Sequence, residues 1–239
     1  MPDPSGYEAC GYETRHDAGD ALHMHRHGQA YAALVLEGHY IETSVDGPIE
    51  CAPGTLLLHP RYHAHGNRFG RHGARVVNLL LPDDIASTAL RALQVPQLAE
   101  AAAVFRHGAH DLRALIDASQ AAPIATLQDW QSAFLDELQH GDAPIQRIAR
   151  HAGVSSEHAS RTFLRSHGMS PQVLRRELRC RQALSLLAGS ESLVDIAARS
   201  GFADQSHLTR TVRAATGLPP SRLRRQINCV QDRDVAAMR

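Results

Sequence analysis

Residues 196–213 read IAARSGFADQSHLTRTVR, and this stretch decides the fold of the C-terminal half. A short apolar segment ends at Gly201, a residue that can take the positive φ with which a helix ends sharply. A second helical pattern follows Asp204, whose side chain can cap it. The first turn of this second helix carries uncharged polar side chains, and arginines follow one and two turns later. The stretch therefore predicts two short helices joined by a glycine turn.

The same pattern occurs once earlier in the chain. Residues 148–163, IARHAGVSSEHASRTF, align with residues 196–212, and the segments 168–176 and 217–225 also align. Each copy reads as a helix, a glycine turn, a second helix, a glycine stop and a helix that begins near proline. Because the copies share this order, each supports the interpretation of the other. The sequence predicts two helix-turn-helix motifs.

The second helix of each copy is predicted to have one apolar side and one polar side. The apolar positions are Ala159 and Phe163 in the first copy, and Leu208, Val212 and Ala215 in the second. The predicted helix caps are Asp142, Ser155, Ser192 and Asp204. The polar sides carry Glu157, Ser160, Arg161 and Arg165, then Ser206, His207, Arg210 and Arg213. Such side chains suit the base edges and phosphates of a major groove.

The charge distribution separates the same two halves. Residues 1–137 hold nine arginines and seventeen acidic residues, whereas residues 138–239 hold sixteen arginines and eight acidic residues. A basic half indicates a polyanionic partner. Every basic side chain besides histidine is an arginine, whose planar guanidinium fits phosphate and guanine. An ordinary helical hairpin is the alternative for one motif, but two copies within a basic half favour DNA binding.

The segment from about 138 to 228 resembles the DNA-binding domain of the AraC/XylS family of bacterial transcription regulators. The residues that carry the resemblance are Ile148, Ala149, Gly153, Ser155, Arg161 and Phe163, then Gly168, Ser170, Pro171, Arg179, Ala183, Leu186 and Leu187, and finally Asp195, Ile196, Ala197, Gly201, Phe202, Asp204, Gln205, Ser206, His207, Arg210, Gly217 and Pro220. Two positions depart from the family pattern: Ala159 stands where a larger apolar residue is usual, and Val212 where Phe is frequent.

The resemblance implies a bipartite domain that places both recognition helices in adjacent major grooves on one face of the duplex. By motif position, the residues predicted to contact bases are Glu157, Ser160, Arg161, Gln205, Ser206, His207 and Arg210. Arg165 and Arg213 lie further along the same helices and are predicted to bind phosphate. Glu157 is acidic, so it could accept a hydrogen bond from cytosine or lower the affinity.

The N-terminal half predicts β-structure over residues 7–81. The run YAALVLEGHYIETSV, residues 31–45, is compatible with a long strand in which Gly38 marks a kink or bulge. Two shorter apolar runs, residues 52–60 and 74–82, are bounded by proline and glycine. Asp-Gly-Pro at 46–48 predicts a turn. We expect antiparallel strands folded as a barrel or sandwich.

Nine of the sixteen histidines precede residue 82, and six of these nine form two groups. His23, His25 and His27 alternate and would share one face of a strand. The second group is His59, His63 and His65. Imidazole nitrogens from two strands could bind Zn²⁺, Ni²⁺ or Fe²⁺. The alternatives are the polar lining of a pocket, a compositional effect and a response to pH.

Residues 18–81 also resemble a cupin, the usual sensor fold of many AraC-type proteins, through His25-x-His27, Pro53-Gly54, Pro60 and His65. The resemblance implies a metal site formed by His25, His27 and His65. Tyr31 occupies the nearest place to the glutamate that usually completes such a set. Because many sensor cupins bind a small organic molecule instead, the predicted pocket residues are Tyr31, His59 and His63.

The predicted organisation is a cupin-like β-barrel over 1–82, a helical connector over 83–137, a DNA-binding domain over 138–228 and a tail over 229–239. Helical spacing is predicted over 84–118 and 126–140, and the apolar residues there could pair with a second copy or pack within the chain. The four cysteines lie far apart without a CxxC motif and predict reduced thiols. The sequence shows neither a signal peptide nor an apolar run of membrane length, so a cytoplasmic location without membrane contact is predicted.

The sequence thus predicts a non-enzymatic, sequence-specific transcription regulator, an activator or repressor of promoters. Its predicted partners are double-stranded DNA, a small-molecule effector or divalent metal, RNA polymerase and a second copy of the chain. One alternative is a metal-dependent cupin oxygenase or isomerase fused to a helical domain. The other is a constitutive DNA-binding protein whose barrel serves only for dimerisation.

Overall fold

A computed structural model describes residues 11–83, 85–86, 88–107, 111–123 and 125–227 of the chain. It divides into two compact units, here called the β-unit (1–125) and the helical unit (126–239). The predicted tail, 229–239, lies outside the described residues, as do Cys10 and Cys229. Cys51 and Cys180 are buried, and neither forms a disulfide with another described residue.

The β-unit contains one antiparallel sheet of eight strands. The strands are β1 (Tyr12–His16), β2 (Ala21–His25), β3 (Tyr31–Ser44), β4 (Gly47–Cys51), β5 (Thr55–His59), β6 (His65–Leu80), β7 (Arg91–Gln94) and β8 (Gln120–Ala121). The hydrogen-bonded order is β1-β6-β3-β5-β7-β8, with β2 also paired to β6 and β4 to β3. The prediction of an antiparallel β-domain before a helical domain is confirmed.

The two long strands, β3 and β6, bend at irregularities in their pairing. The register shifts on both sides of Gly38, between Val35 and Glu37 and between Gly38 and Tyr40. Gly38 has a φ of 77°, and a Cβ there would lie 2.0 Å from the Gly73 carbonyl oxygen. The sequence-predicted bulge at Gly38 is confirmed, because only glycine permits both the dihedral angle and the close approach.

The bent sheet has two apolar clusters, one on each face. The first joins Leu34, Leu56 and Leu79 to the helices α1 (Leu98–His107) and α2 (Leu112–Ala118), which contribute Phe105 and Leu112. The second contains Val35, Tyr40, Leu57, Phe69 and Val76. The alternation of side chains along β3 and β5 therefore supplies both clusters, since successive residues point to opposite faces.

The helical prediction over 84–118 is wrong at residues 91–94, which form β7. This strand pairs with β5, and Leu93 is buried in the first apolar cluster. Leucine spacing alone cannot distinguish a four-residue strand from a helical turn, because the strand is stabilised by a neighbour distant in sequence. The predicted connector, 83–137, divides between the units: its first part covers the sheet, and its last part belongs to the helical unit.

The helical unit contains α3 (Asp129–His140), α4 (Ile145–His151), α5 (Ser156–His167), α6 (Pro171–Leu186), α7 (Leu193–Arg199) and α8 (Gln205–Thr216). Residues 220–227 are also helical. The central helix is α6, which packs against α3, α5, α7 and α8. Within the described parts of the chain, no helix combines the length and the apolar character needed to span a bilayer.

Candidate DNA-binding surface and effector cavity

The first helix-turn-helix consists of α4 and α5. The turn passes through Gly153, whose φ is 71°. The Ser155 hydroxyl then accepts a hydrogen bond of 3.1 Å from the His158 backbone N–H and caps α5. Ala159 and Phe163 are fully buried on one side of α5. Local capping and an apolar stripe thus fix the helix and leave its other side outward.

The second helix-turn-helix, α7 and α8, repeats these interactions. Ser192 caps α7 by accepting from the Asp195 backbone N–H at 3.1 Å. Gly201 has a φ of 72°, and the Asp204 carboxylate accepts from the His207 backbone N–H at 2.6 Å. Leu208 and Val212 are fully buried, whereas Ala215 is half-buried.

Asp142 does not cap α4, and that prediction is wrong. The N-cap residue is Pro144, and α4 begins at Ile145. The Asp142 carboxylate instead pairs with Arg179 of α6 at 2.5 Å. The same guanidinium donates to the Gly201 carbonyl oxygen in the turn of the second motif. The local sequence around Asp142 does not reveal this ion pair, because Arg179 is distant in sequence.

The two candidate recognition helices expose most of the predicted DNA-contacting residues. Exposed residues are Glu157, Arg161, Arg165, Gln205, Ser206, Arg210 and Arg213, while Ser160 and His207 are half-buried. The His207 ring packs edge-on against Phe202, with ring centroids 5.2 Å apart. Among the described residues, Arg165, Arg210 and Arg213 form no ion pair, so their guanidinium groups are available to an external anion.

Glu157 differs from its neighbours on α5. Its carboxylate accepts from its own backbone N–H and from the Ser155 hydroxyl, and these hydrogen bonds lower its pKa below the usual range. Glu157 is therefore an ionised acid held at the helix N-terminus, where negative charge is favourable. This arrangement offers a reason for an acidic residue on an otherwise basic surface.

The β-unit contains a partly open cavity of about 140 Å³. Its lining comes from β1, β2, β3, β5 and β6 and comprises Tyr12, Thr14, His16, Leu22, His25, His27, Tyr31, Ala33, Tyr40, Glu42, His59, His65, Asn67, Phe69, Val76 and Asn78. The lining contains imidazole, phenol, amide and carboxyl groups beside apolar side chains. The predicted pocket residue His63 is not among these lining residues, and its ring centroid lies 5.9 Å from that of His65.

Five histidines cluster at the cavity in two sets that share His65. The outer histidine set is His25, His27 and His65, and the inner histidine set is His59, His63 and His65. In each set, one ring nitrogen per residue lies within 4.8 Å of the others. The structure thus brings together the three residues predicted as a metal set. The imidazoles suit a divalent transition metal, since both sets offer only nitrogen ligands.

Tyr31 stands between the histidines. Its hydroxyl lies 3.0 Å from His65 Nε2, and its ring stacks on His59 with centroids 4.4 Å apart. Burial is the main cause that raises the pKa of Tyr31 far above its usual range. The phenol is therefore a neutral donor or acceptor rather than an anionic ligand.

Glu42 is a functional candidate that the sequence analysis missed. It is 1% exposed, and its carboxyl lies 3.6 Å from His59 Nε2 and 3.5 Å from the Asn67 side-chain amide. Burial raises the pKa of Glu42 to about 8. A signal was available, because Glu42 shares the strand parity of Tyr40 and Ser44 on β3, which are buried.

His59 and His65 are uncharged at neutral pH. Burial, assisted by neighbouring histidines, lowers the pKa of His65 to about 3 and lowers the pKa of His59 strongly. Neutral imidazole is the form that binds metal ions and that both donates and accepts hydrogen bonds. The cavity therefore presents several neutral donor–acceptor groups and a single buried carboxyl group.

Residues 148–226 match the family described as a helix-turn-helix domain. Several solved structures are similar. ToxT from Vibrio cholerae O395 is 13% identical with a TM-score of 0.43, over 91% of this chain and 97% of that chain. The AraC-type DNA-binding regulator structure from Chromobacterium violaceum is 26% identical with a TM-score of 0.38, over 41% and 91%. The C-terminal domain of AraT from Geobacillus stearothermophilus is 24% identical with a TM-score of 0.40, over 43% and 88%. No curated protein matches the chain.

Proposed function

We propose that this chain, a transcription regulator that carries an AraC-type helix-turn-helix domain at 148–226, changes its promoter binding when its histidine-lined cavity is occupied. The observation that carries the proposal is the duplicated helix pair with outward arginines, in a chain whose other unit contains a cavity lined by histidines. Ligand binding would shift the population between states with different DNA affinity.

The DNA contacts are assigned to α5 and α8. Their first two turns would read base edges through Glu157, Ser160, Arg161, Gln205, Ser206, His207 and Arg210. Arg165 and Arg213, nearer the C-terminal ends, would bind phosphate. Both helices pack on α6, whose sixteen residues are about 24 Å long. That length is compatible with two readers about one DNA turn apart.

The effector is assigned to the cavity of the β-unit. A volume of about 140 Å³ suits a small molecule rather than a long chain. The lining contains no arginine among the described residues, and the buried His59 and His65 are neutral, so a strongly anionic ligand would find no countercharge beside them. A ligand with several hydrogen-bonding groups, or a divalent metal such as Zn²⁺, Ni²⁺ or Fe²⁺, fits better. The outer histidine set is the predicted metal site, with Tyr31, His59 and His63 as pocket residues.

Further assignments belong to the same proposal. A regulator of this kind would act in the cytoplasm and could contact RNA polymerase. A homodimer is also proposed, although Leu93, Leu112 and Leu115 of the predicted connector are already buried against the sheet. The enzyme alternative predicts turnover of a small substrate together with no sequence-specific DNA binding.

Site selection from genomic fragments, followed by fluorescence anisotropy at fixed salt, tests the DNA-binding half of the proposal with the full chain. We expect the selected site to bind at least about 10³-fold more tightly than a scrambled site. Thermal-shift screening of metals and small molecules then identifies cavity ligands. A ligand that raises Tm should also change the Kd for the selected site. Equal affinity for all sequences would contradict DNA reading, and an unchanged Kd would contradict effector coupling.

A further inference from the structure

The inner histidine set has features that the predicted outer set lacks. His59, His63 and His65 are 1%, 7% and 2% exposed, whereas His27 of the outer set is exposed and His25 half-buried. One ring nitrogen from each inner histidine lies within 4.8 Å of the others. Three imidazoles converge here in a site that is shielded from water.

Each inner histidine has one ring nitrogen directed at an oxygen atom. His63 Nε2 lies 3.1 Å from Asp46 Oδ2, and His65 Nδ1 lies 3.2 Å from the His63 carbonyl oxygen. His59 Nε2 lies 3.6 Å from Glu42 Oε2. Metal-binding histidines commonly donate their second N–H to a carboxylate or a carbonyl, which fixes the ring and its tautomer. His63 and His65 have this arrangement, and Glu42 lies just beyond hydrogen-bond distance of the third ring, that of His59.

The remaining ring nitrogens lack protein partners or have a replaceable one. His59 Nδ1 and His63 Nδ1 are buried without a hydrogen-bond partner. His65 Nε2 contacts only the Tyr31 hydroxyl, at 3.0 Å. Buried polar atoms are nearly always paired, so two unpaired imidazole nitrogens in one cluster indicate a missing ligand. A cation that prefers nitrogen would satisfy both.

We propose that the inner histidine set binds a first-row divalent transition metal such as Zn²⁺, Co²⁺ or Ni²⁺, with Asp46 and Glu42 as positioning residues. Such ions bind imidazole at about 2.0–2.1 Å, so modest side-chain movements would close the site. The Asp46 carboxylate, 3.1 Å from His63 Nε2, would also offset part of the metal charge. This site shares only His65 with the predicted outer set, and it does not rest on the proposed DNA-binding function.

Metal titration of the full chain tests the proposal. Chelator-stripped protein is titrated with Co²⁺ and followed by visible absorption, and Zn²⁺ competition then gives the affinity. We expect one equivalent to bind, and we expect His59→Gln and His63→Gln to weaken binding at least about 100-fold. The matched control is His72→Gln, the same change at an exposed histidine of the β-unit that belongs to neither set, which should stay within about threefold of the parent chain. Circular dichroism verifies that each variant is folded.

Glu42→Gln keeps the proposal testable if a histidine variant fails to fold. Replacing this positioning carboxyl group by an amide should weaken Co²⁺ binding about 10–100-fold, because the group beside a metal-binding histidine orients its ring. The visible absorption spectrum should change as well. Absence of Co²⁺ binding by the parent chain would overturn the proposal. So would a loss in His27→Gln equal to that in His59→Gln, since the outer set would then hold the ion. DNA anisotropy on the same variants reports separately on the proposed regulatory function.

Discussion

At the scale of single residues, the arginines of the helical unit fall into two environments. Arg179 donates to carbonyl oxygens of Gly201 and Gly141 and pairs with Asp142, so it joins the two motifs internally. Arg210 and Arg213 are exposed, and within the described residues neither forms an ion pair. The first environment stabilises the domain, and the second leaves charge available to a nucleic acid.

Arg210→Ala is expected to weaken binding to the selected site by about 1–3 kcal/mol and to relax base preference at one position, because an arginine in the major groove reads guanine through two hydrogen bonds. Anisotropy with single-base variants of the site measures both effects. Arg71→Ala removes the same charge from the β-unit and should change neither quantity. Unaltered affinity and preference for Arg210→Ala would show that α8 does not read bases.

Arg213→Ala should instead weaken binding to every sequence by a similar factor. A phosphate contact releases a counterion, so its loss should reduce the slope of log Kd against log salt by about one. Measurements at four salt concentrations on the selected and scrambled sites give this slope. A loss confined to the selected site would assign Arg213 to base reading.

The buried carboxyl group of Glu42 predicts a difference in the pH dependence of stability. Its pKa is raised by burial to about 8, so the folded state holds its proton more tightly than the unfolded state does. In the parent chain this favourable contribution is present at low pH and is lost as pH rises through about 8. The amide of Glu42→Gln cannot ionise, so this loss is absent from the variant. The free energy of unfolding of the variant, relative to that of the parent chain, should therefore increase from about pH 5 to about pH 9. Urea unfolding with a chelator present measures this difference. A constant difference would contradict the assigned environment.

At the scale of elements, the helix-turn-helix motifs were predictable because their signals are local. Ser155, Ser192 and Asp204 cap the helices they were predicted to cap, and Gly201 takes its left-handed turn. The strand β7 and the partner of Asp142 were not predictable, because both depend on residues distant in sequence. Glu42 was not predicted although β3 was. Strand periodicity assigns a residue to one face of the sheet, but it does not reveal whether the side chain lines a cavity there.

The two turn glycines allow a matched comparison of strain and crowding. Gly153 and Gly201 have φ values of 71° and 72°, but a Cβ at Gly153 would meet no atom within 4 Å, whereas one at Gly201 would lie 2.9 Å from Arg179 Nε. Gly153→Ala should cost about 1–2 kcal/mol through backbone conformation alone. Gly201→Ala should cost more, because Arg179 must also release its acceptors.

Urea unfolding of the full chain, followed by helical circular dichroism, measures the two free energies of unfolding. Combining Arg179→Ala with each glycine substitution separates the cost of backbone conformation from the cost of crowding. Removing the guanidinium removes the crowding at Gly201 and leaves the backbone cost in place. Equal costs for the two glycine substitutions in the parent chain would contradict a tight contact between Arg179 and the second turn.

At the scale of the whole molecule, charge and chemistry are divided between the two units. The acidic N-terminal part contains the histidine cluster and cavity, and the basic C-terminal part contains the duplicated helix-turn-helix motifs. The sequence predicted this division through its charge asymmetry and its repeat. It could not predict which of two overlapping histidine sets is buried, because that depends on how β3, β5 and β6 bend around the cavity.

A homodimer is a separate prediction at this scale. Sedimentation of the purified chain at micromolar concentration should show a species of twice the monomer mass, and addition of a selected DNA site should retain that stoichiometry. Only monomer under both conditions would reject the dimer. It would also favour the alternative in which the apolar side chains of the predicted connector serve intramolecular packing.

Methylation protection of guanine N7 on the selected DNA site is the most direct test of the central claim, that α5 and α8 read consecutive major grooves. We expect two protected patches on one face of the duplex, about 10 base pairs apart. Arg161→Ala should remove one patch and Arg210→Ala the other, each leaving its counterpart in place. If no guanine is protected, or if both substitutions leave the protection unaltered, α5 and α8 do not bind in consecutive major grooves.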